Sequence, residues 1–372
     1  MKKVLLTATV QSHICQFHRP LINMLHEHGY EVHVAARNNL EEKNGLKLDF
    51  VDKVYNVPFA RSPKSLDNLK AYRKLKKIID GEQYEVIHCN TPMGGIITRL
   101  ASRKSRRSGT KVYYTAHGFH FYKGAPKKNW LCFYPIEKEM SRLTDIVITI
   151  TKEDYQLAKK NFYSNVEHIY GVGVDEDKYL SITEKENEKF KLDNEYNGKF
   201  VILCTGELNA NKNQKTVINA MKIIVNEYPS VLLLLAGNGP NEKELRKQIE
   251  KLELTDYIEL IGYRTDLEKF TNACDMVVSA SFREGMPLNI MEAMICGKPV
   301  VASYNRGHRE LVLEDETGYL VPADDASSFA KYIIKLIKNE KLRSQFGIAA
   351  KKRIVRYQMK YVKKKLEKIY NL

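Results

Sequence analysis

Short apolar runs alternate with amphipathic stretches along almost the whole chain. The runs are rich in Val, Ile and Leu, a composition typical of buried strands. In the first half the predicted strands are Lys3–Val10, Glu31–Ala36, Lys53–Pro58, Val86–Asn90, Lys111–His117, Ile146–Thr151 and His168–Val172. In the second half they are Phe200–Thr205, Val231–Ala236, Ile258–Ile261, Met276–Ser281, Val300–Ser303 and Tyr319–Pro322.

Between these runs, apolar residues recur at helical spacing. In the first half the predicted helices include Arg19–His28, Leu66–Asp80, Gly94–Ser105 and Lys152–Asn161. In the second half they include Lys215–Glu227, Asn241–Leu252, Asp266–Ala273, Pro287–Cys296 and Ser327–Asn339. Because strand and helix alternate, we expect parallel sheets covered on both faces. Two such series predict an α/β protein of two doubly wound, Rossmann-like domains.

The domain boundary is visible as a change in composition. Residues 174–199 are charged and poor in apolar side chains, which is typical of a linker with a surface helix. We therefore predict a first domain over residues 1–175 and a second over 176–354. A basic helix over Lys351–Tyr370 ends the chain, and we expect its part from about 355 to 372 to pack back on the first domain. In open α/β sheets ligands bind beyond the carboxyl ends of the strands, so the expected site is a cleft between the two domains.

Charge is distributed unevenly over the 372 residues. Lys and Arg number 60 against 45 Asp and Glu, giving a formal net charge of +15. The excess lies in residues 1–180 and 351–372, whereas 181–350 are slightly acidic. This asymmetry favours an anionic partner, such as a membrane surface, a phosphorylated substrate or a nucleic acid. Solubility alone is the alternative explanation.

Targeting and cysteine patterns indicate a cytoplasmic protein. The longest aliphatic run, Val231–Ala236, is too short to span a bilayer, and no signal-peptide cleavage site follows the N-terminus. The six cysteines are scattered, with no CxxC pair and no histidine at zinc spacing. We therefore expect reduced core thiols and no metal site.

The segment Ser279–Ser303 combines a strand end, an acidic turn and a helix start. Pro287 is predicted to occupy the first helical position, where its missing N–H has no cost. The free N–H groups there, beside Gly285, form a ready anion site. Glu284 precedes the helix and Glu292 lies within it, and each carboxylate can accept two hydrogen bonds from a diol. The pattern suits a nucleotide sugar, with the diphosphate between the carboxylates; the alternative is two surface glutamates that stabilise the helix.

This segment resembles the Glu-x7-Glu signature of the retaining GT-B glycosyltransferases of family 4. The matching residues are Glu284, Gly285, Pro287, Glu292, Ala293, Gly297 and Pro299. Further matches follow the family's order over roughly residues 1–350: Ile87–Arg99, Tyr114–Gly118, Gly171–Asp175, Gly206–Asn213, Leu235–Gly239, Ile261–Asp266 and Ala273–Asp275. The likeness extends to bacterial enzymes that build exopolysaccharide or capsule repeat units. It implies the GT-B fold, two Rossmann-like domains facing across a cleft.

The resemblance implies donor-side roles for residues of the second half. Glu284 would bind hydroxyls of the donor sugar, Glu292 the ribose, and Lys212 the leaving diphosphate. Backbone amides of Gly285–Leu288 would also contact the diphosphate. The remaining donor-side candidates are Gly206, Met286, Pro287, Leu288, Tyr263, Arg264 and Arg283. The family's arginine near Lys212 is replaced by Glu207; Arg283 either compensates for it or is only a surface charge.

In the first half, the resemblance singles out His117. It matches a histidine that contacts the donor sugar or phosphate, and it joins Lys212 and Glu284 as a catalytic candidate. The acceptor-side candidates are His13, Gln16, His18 and His120. For the segment after the first strand the alternative is structural, with Ser12 capping a helix and the histidines satisfied locally.

The implied reaction is same-face transfer, with retention, of a hexose or N-acetylhexosamine from a UDP-sugar. The acceptor would be a lipid-linked glycan in polysaccharide biosynthesis, and no cofactor or metal would take part. Domain closure would bring His117 to the donor. The basic segments Arg99–Lys111 and Leu69–Ile79 could rest on anionic lipid, making the enzyme peripheral on the inner face of the cell membrane.

Two other classes remain open. A nucleotide-sugar epimerase of the same architecture would convert the donor alone. A nucleic-acid-binding protein would fit the basic charge, but the chain has no zinc-finger, KH or RRM signature, so we expect no nucleic-acid partner.

Overall fold

The structure is a computed structural model that describes residues 1–41 and 46–372. Its contacts divide the chain into two compact units. The first comprises Met1–Gly173 and Met359–Leu372, and the second comprises Val174–Gln358. The C-terminal helix therefore belongs to the first unit.

The first unit alternates strands and helices from its first residues. Its elements are β1 (Lys2–Val10), α1 (Gln11–Phe17), α2 (Arg19–Glu27), β2 (Tyr30–Arg37), β3 (Lys53–Asn56), α3 (Asp67–Gly81), β4 (Val86–Asn90), α4 (Pro92–Ala101), α5 (Arg103–Arg107), β5 (Lys111–Ala116), α6 (Lys127–Met140), a 3-10 turn (Ser141–Leu143), β6 (Ile146–Thr149), α7 (Lys152–Asn161) and β7 (Asn165–His168).

The second unit repeats this alternation. Its elements are α8 (Glu176–Leu180), α9 (Glu184–Asp193), β8 (Phe200–Thr205), α10 (Gln214–Ile224), β9 (Val231–Ala236), α11 (Glu242–Lys251), β10 (Ile258–Gly262), α12 (Leu267–Ala273), β11 (Met276–Ser279), α13 (Leu288–Ile295), β12 (Val300–Ser303), α14 (Arg306–Leu311), β13 (Gly318–Val321), α15 (Ala326–Lys338), α16 (Glu340–Ile354) and a 3-10 turn (Val355–Tyr357). The final helix, α17 (Met359–Tyr370), completes the first unit.

Both sheets are parallel and doubly wound. In the described chain the first sheet has the order β3-β2-β1-β4-β5-β6-β7, and the second has β10-β9-β8-β11-β12-β13. In each sheet the chain starts near the middle, builds to one edge and then returns to build to the other. The order reverses between β1 and β4 in the first unit and between β8 and β11 in the second. Such reversals open a crevice at the carboxyl ends of the strands, where ligands bind.

The strands form because their side chains are buried on both faces. All six residues of β9, VLLLLA, are buried, as are all five of β4. In the second unit, α10 and α15 pack on the sheet through residues at helical spacing, including Val217, Met221, Phe329 and Ile333. Continuous apolar strands between amphipathic helices are the pattern that a parallel sheet requires, and the predicted fold of two doubly wound sheets is confirmed.

Some predicted elements are wrong in detail. The last strand of the first sheet is Asn165–His168 rather than His168–Val172, because Gly171 and Gly173 adopt positive φ and turn the chain. The segment after β1 forms helix α1. The single basic helix Lys351–Tyr370 is interrupted, since Gln358 is extended and bridges to Val174.

Ser12 does not cap α1, since it lies inside the helix and the N-cap position is occupied by Val10. The expectation of six core thiols is also wrong: all six cysteines are free, but Cys132 is exposed on α6. Within the described residues, no helix combines the length and the hydrophobicity that a transmembrane span requires.

Candidate functional site

The strand reversal of the second unit brings two loops together. The first follows β8 and spans Gly206–Asn213, and the second follows β11 and spans 280–287. The loops are joined by backbone and side-chain hydrogen bonds. Asn211 Nδ2 donates to the carbonyl oxygen of Arg283 at 3.0 Å, and Asn213 Nδ2 donates to that of Ala280 at 3.3 Å. Side chains from both loops therefore share one end of the sheet.

Close backbone approach shapes the first of these loops. Gly206 has φ +146° and Gly237, at the end of the neighbouring strand, has φ +141°. A Cβ on Gly237 would lie 2.1 Å from the carbonyl oxygen of Gly206, so only glycine fits there. The side chain of Lys212 lies beside Gly206, and its backbone N–H donates to Asn209 Oδ1 at 3.0 Å. These contacts position the ammonium of Lys212.

Lys212 and Glu284 form an ion pair across the two loops. The distance from Nζ of Lys212 to Oε1 of Glu284 is 2.7 Å. Both side chains are largely buried, with 23% and 14% of their surfaces exposed. The structure thus brings together the predicted phosphate-binding cation and the predicted sugar-binding carboxylate, residues 72 positions apart in sequence.

The start of α13 follows Glu284 directly. Gly285 and Met286 are partly exposed in the turn before it. Pro287 is the N-cap, so the prediction that it occupies the first helical position is wrong by one residue, and the helix begins at Leu288. Among the described residues, no side chain caps this helix, and its first turn contains no acidic residue. The first-turn N–H groups are therefore left for a ligand or solvent.

Glu292 lies one turn further along α13 and is partly buried. Tyr179, on α8, donates a hydrogen bond to its carboxylate. Burial raises the pKa of Glu292, and this hydrogen bond and the charge of Lys178 oppose that shift. The chain thus holds a carboxylate in low dielectric with a hydroxyl as its partner. Tyr179 carries no motif and was missed from the sequence.

The other donor-side candidates are less enclosed. Arg283 is exposed next to Glu284. Tyr263 is 41% exposed. Arg264 is held by Asp266 through two hydrogen bonds of 2.9 and 2.8 Å. This pairing raises the pKa of Arg264 and lowers that of Asp266. The structure does not join these three residues to the Lys212–Glu284 pair through any described hydrogen bond.

Sequence reasoning also missed His308 on α14. A Cβ on neighbouring Gly307 would lie 2.6 Å from the carbonyl oxygen of Gly285, so α14 packs closely on the Glu284 turn. His308 is fully buried, and its Nδ1 lies 2.7 Å from the carbonyl oxygen of Ser303 and 2.9 Å from Asn305 Nδ2. Burial lowers the pKa of His308 to about 4, and the charge of Glu284 opposes this shift. A buried neutral imidazole thus lies in the helix that packs against the Glu284 turn.

The strand reversal of the first unit gathers histidines instead of a charged pair. His13 and His18 follow β1, and His117 follows β5. Nε2 of His13 lies 3.3 Å from Nε2 of His117, and one ring nitrogen from each of the three histidines lies within 4.8 Å of the others. Asn90 Oδ1, at the end of β4, lies 3.1 Å from His117 Nε2. Spacing along the sequence did not reveal this cluster.

These imidazoles are neutral at neutral pH. Burial lowers the pKa of His117 to about 4. Burial and the neighbouring histidines lower the pKa values of His13 and His18 well below their usual range, and Arg61 contributes to the shift of His13. Neutral imidazole nitrogens can accept a hydrogen bond or bind a metal ion.

The remaining acceptor-side candidates lie apart from this cluster. Gln16 is exposed on α1. The ring of His120 packs against Phe133 of α6, with centroids 4.7 Å apart. Of the four acceptor-side candidates, the structure therefore groups His13 and His18 with His117.

Backbone strain marks the same reversal. Thr91, directly after Asn90, has φ +63°, which is rare for a β-branched residue. Its Oγ1 accepts the N–H of Thr9 at 3.0 Å, which ties the ends of β1 and β4 together. Strained residues of this kind cluster at functional sites.

The basic segment Arg99–Lys111 does not act as one surface. Arg99 is 1% exposed, and it pairs with Glu137 at 2.9 Å while covering the ring of Tyr114. The expectation that this arginine contacts lipid is therefore wrong. Exposed cations of the segment lie on and after α5, and include Arg103, Lys104 and Arg107.

Comparison with solved structures defines the class of fold. HepE from Anabaena, crystallised in complex with UDP, aligns over 100% of both chains with a TM-score of 0.80 and 22% sequence identity. Two doubly wound parallel-sheet domains are the GT-B architecture, as predicted.

Sequence comparison identifies the family. The family model described as Glycosyl transferase 4-like matches residues 3–151, and the one described as Glycosyl transferases group 1 matches residues 184–353. A putative glycosyltransferase, EpsD of Bacillus subtilis (strain 168), is 38% identical over 100% of this chain and 96% of its own length. The chain belongs to this family of GT-B glycosyltransferases, so the predicted family and enzyme class are confirmed.

A second relative carries a more specific name. The UDP-Gal:alpha-D-GlcNAc-diphosphoundecaprenol alpha-1,3-galactosyltransferase of Escherichia coli is 27% identical over 82% of this chain and 81% of its own length. Of the two enzyme classes left open by the sequence, glycosyl transfer is thus the one that the family supports.

Proposed function

We propose that this glycosyltransferase moves a sugar from a UDP-sugar donor to a lipid-linked glycan acceptor in polysaccharide biosynthesis, with retention at the anomeric carbon. The observation that carries the proposal is the Lys212–Glu284 ion pair beside the uncapped start of α13, at the strand reversal of the second unit, all within the described chain. The site therefore combines a cation, a carboxylate and free N–H groups at the end of a doubly wound sheet, which is where nucleotides bind.

The donor diphosphate would bind between Lys212 and α13. An ammonium and a helix N-terminus both attract negative charge, and they gain most where charge develops on the leaving group. A diphosphate there would compete with Glu284 for Lys212. Donor binding would thus open the 2.7 Å ion pair and release the carboxylate of Glu284.

The released carboxylate would bind donor-sugar hydroxyls. Glu292 would bind the ribose, since its carboxylate is held by a single described side-chain hydrogen bond, from Tyr179. Two hydroxyls of a ribose can replace or join that donor. The sugar and the ribose would then be recognised by different carboxylates on one short segment of chain.

Transfer would proceed on one face of the donor sugar. The acceptor hydroxyl approaches as the diphosphate leaves, and a phosphate oxygen takes its proton. Lys212 and the N–H groups of α13 stabilise the departing diphosphate, while Glu284 orients the sugar. The role of His117 at the donor remains a prediction from the family resemblance.

The names of similar proteins support the donor and acceptor classes. The solved HepE complex contains UDP. The E. coli relative is named for a UDP-galactose donor and a diphosphoundecaprenol-linked acceptor. A thermal-shift screen of this protein against UDP- and GDP-sugars would identify its donor, and stabilisation by GDP-sugars alone would contradict the uridine assignment.

Replacement of the predicted leaving-group cation tests the catalytic proposal. Lys212→Ala should lower kcat by on the order of 100-fold, the effect of removing one preorganised stabilising group. Lys215→Ala is the matched control, because Lys215 is exposed on the adjoining helix α10. Turnover is measured as UDP release and as glycosylated lipid product. An unchanged kcat in Lys212→Ala would remove this role, and conversion of the donor without any acceptor would indicate an epimerase.

Contact with an anionic membrane surface is part of the same proposal. Helix α6 exposes Leu131 (79%), Phe133 (38%) and Ile136 (45%). In the same unit, Arg103, Arg106, Arg107 and Lys111 line a hollow of about 410 Å³ together with Asp145. Apolar side chains insert at a bilayer interface, while cations attract anionic headgroups at about 1 kcal/mol each.

Vesicle flotation tests this contact. The protein should float with vesicles of phosphatidylglycerol at low salt and be released at high salt. Replacing Leu131 and Phe133 by serine should reduce flotation, whereas Ile348→Ser, an exposed position of the second unit, should not. Absence of flotation at low salt would reject membrane contact.

A further inference from the structure

The histidine cluster of the first unit has the geometry of a metal site. His13, His18 and His117 each place one ring nitrogen within 4.8 Å of the other two. The Nε2 atoms of His13 and His117 are 3.3 Å apart. Two nitrogens bound to zinc at 2.0–2.1 Å in tetrahedral geometry lie about 3.3–3.4 Å from each other. This pair therefore already has the separation of two ligands of one ion.

The third histidine provides the independent observation. His18 is 4% exposed, and its Nε2 has no hydrogen-bond partner within the part of the chain that the structure describes. A buried polar atom without a partner is unusual and calls for an explanation such as a bound ion. The rings of His13 and His18 are 5.3 Å apart, and those of His18 and His117 are 5.5 Å apart, so a modest ring rotation would complete a three-nitrogen site.

The cluster is built on rigid elements. His13 lies in α1 and His18 directly after it, while His117 follows β5. Beside them, His88 on β4 is fixed by Tyr370 OH at 2.6 Å and Thr115 Oγ1 at 2.7 Å, and so remains a neighbour rather than a ligand. Prepositioned ligands reduce the entropy lost on binding.

The neighbouring polar groups define the fourth position. Asn90 Oδ1 lies 3.1 Å from His117 Nε2 and could ligate the ion directly or bind a water on it. Three imidazoles with one open position form a common zinc site. The positive charge of Arg61, which acts on His13, would weaken binding of a cation.

We propose that His13, His18 and His117 bind a single divalent transition-metal ion, with Zn²⁺ as the best match, and that this ion inhibits glycosyl transfer. The inhibitory part rests on the proposed function, because the ion would occupy the ring nitrogen of His117 that faces His13. Binding itself depends only on the three histidines.

Direct zinc binding tests the site. Protein freed of any histidine tag and of chelators is titrated with ZnCl₂ by calorimetry, and Co²⁺ is used to report tetrahedral ligation by visible absorption. Wild type should bind a single ion. His13→Gln and His18→Gln should each weaken binding by at least the roughly 10–100-fold that loss of an outer-shell partner costs. Arg61→Ala should strengthen it.

His26→Gln is the matched control. His26 is an exposed histidine of α2 whose Nε2 lies 2.9 Å from Asp52, and its loss should leave the measured affinity unchanged. If His18→Gln fails to fold, His13→Gln still decides the question, because His13 is partly exposed. Equal zinc affinity in wild type and His13→Gln would overturn the proposal, leaving only a hydrogen-bonded histidine cluster.

Activity measurements separate the two proposals. Zinc should inhibit wild type over the concentration range in which it binds. His13→Gln should require at least tenfold more zinc for the same fractional inhibition. Zinc binding without any detectable transfer from UDP-sugars would keep the metal site and reject the proposed function. Zinc binding to an active enzyme without inhibition would reject only the inhibitory part.

Discussion

The two units reverse their strand order in the same way but place different chemistry at the reversal. The second unit has a charged pair, Lys212 and Glu284, 2.7 Å apart. The first has histidines, whose Nε2 atoms at His13 and His117 are 3.3 Å apart and whose rings are neutral. The fold thus provides the position of a site, and the loops after the strands provide its chemistry.

The difference follows from the loops themselves. In the second unit, glycines let the backbone approach closely, and the helix after β11 begins without a side-chain cap among the described residues. That leaves N–H groups and an ammonium, which favour an anion. In the first unit, a helix follows β1 directly and carries His13, and the buried His18 comes directly after that helix. That arrangement disfavours a proton and leaves nitrogen lone pairs.

Gly237→Ala should give the largest effect, and it should act on the second unit alone. Its Cβ would meet the carbonyl oxygen of Gly206 at 2.1 Å, at a φ of +141°. We expect a loss of about 4 kcal/mol in unfolding free energy, as for severe backbone strain and overpacking. Gly198→Ala is the control: its φ is +77°, and no described atom lies within 4 Å of the added Cβ, so the cost should be about 1–2 kcal/mol.

Hydrogen exchange followed by mass spectrometry can locate this destabilisation. Faster exchange in Gly237→Ala should appear in peptides of 174–358 and spare the histidine cluster of the first unit. Equal destabilisation of both units would contradict this expectation, since it would show that strain at one strand reversal also destabilises the other.

Glu292→Ala should have the next largest effect. Loss of a carboxylate that binds ribose should weaken donor affinity by about 10–100-fold, the equivalent of hydrogen bonds to a charged group, with little change in kcat. Glu244→Ala, at an exposed position of α11, should bind the donor as wild type does. Calorimetric titration with UDP measures the donor affinity of both variants. An unaltered affinity for UDP in Glu292→Ala would contradict the assignment of this carboxylate to the ribose.

Lowering the pH should reveal a smaller effect on stability, which arises from the titration of His308. Its folded pKa is about 4, whereas an unfolded histidine titrates near 6.5. Below pH 6.5 the unfolded chain therefore binds a proton that the folded chain does not, and stability falls as the pH drops towards 4. Between pH 7 and pH 5, the contribution of this histidine should lower the free energy of unfolding by about 2 kcal/mol.

His308→Gln isolates that contribution. The variant should be less stable than wild type at pH 7, because its ring hydrogen bonds are lost, but the difference should narrow by about 2 kcal/mol at pH 5. Denaturant unfolding at both pH values measures the change. A difference that stays constant with pH would show that His308 titrates normally.

The stability of the first unit should be more sensitive to acid than that of the second. Burial there also lowers the pKa of His88, to about 3.

Much of the architecture could be predicted because its signal is local. Strands such as Val231–Ala236 are apolar throughout and need no partner to be recognised. The predictions were wrong where contacts between residues distant in sequence determine the boundaries of an element. The helix predicted over Lys351–Tyr370 is interrupted because the chain pairs with Val174 at Gln358, and the last strand of the first sheet is displaced by glycines at positive φ.

At the sites, the amino-acid sequence was enough to identify candidates in the second unit, because Glu284 and Glu292 belong to a motif on one helix and its preceding turn. The folded structure was needed to establish that Lys212 pairs with Glu284, that Tyr179 donates to Glu292, and that three histidines meet. Periodicity and caps are encoded in neighbouring residues and can be recognised locally. Contacts between loops depend instead on which strands lie side by side, and that is fixed only when the sheet forms.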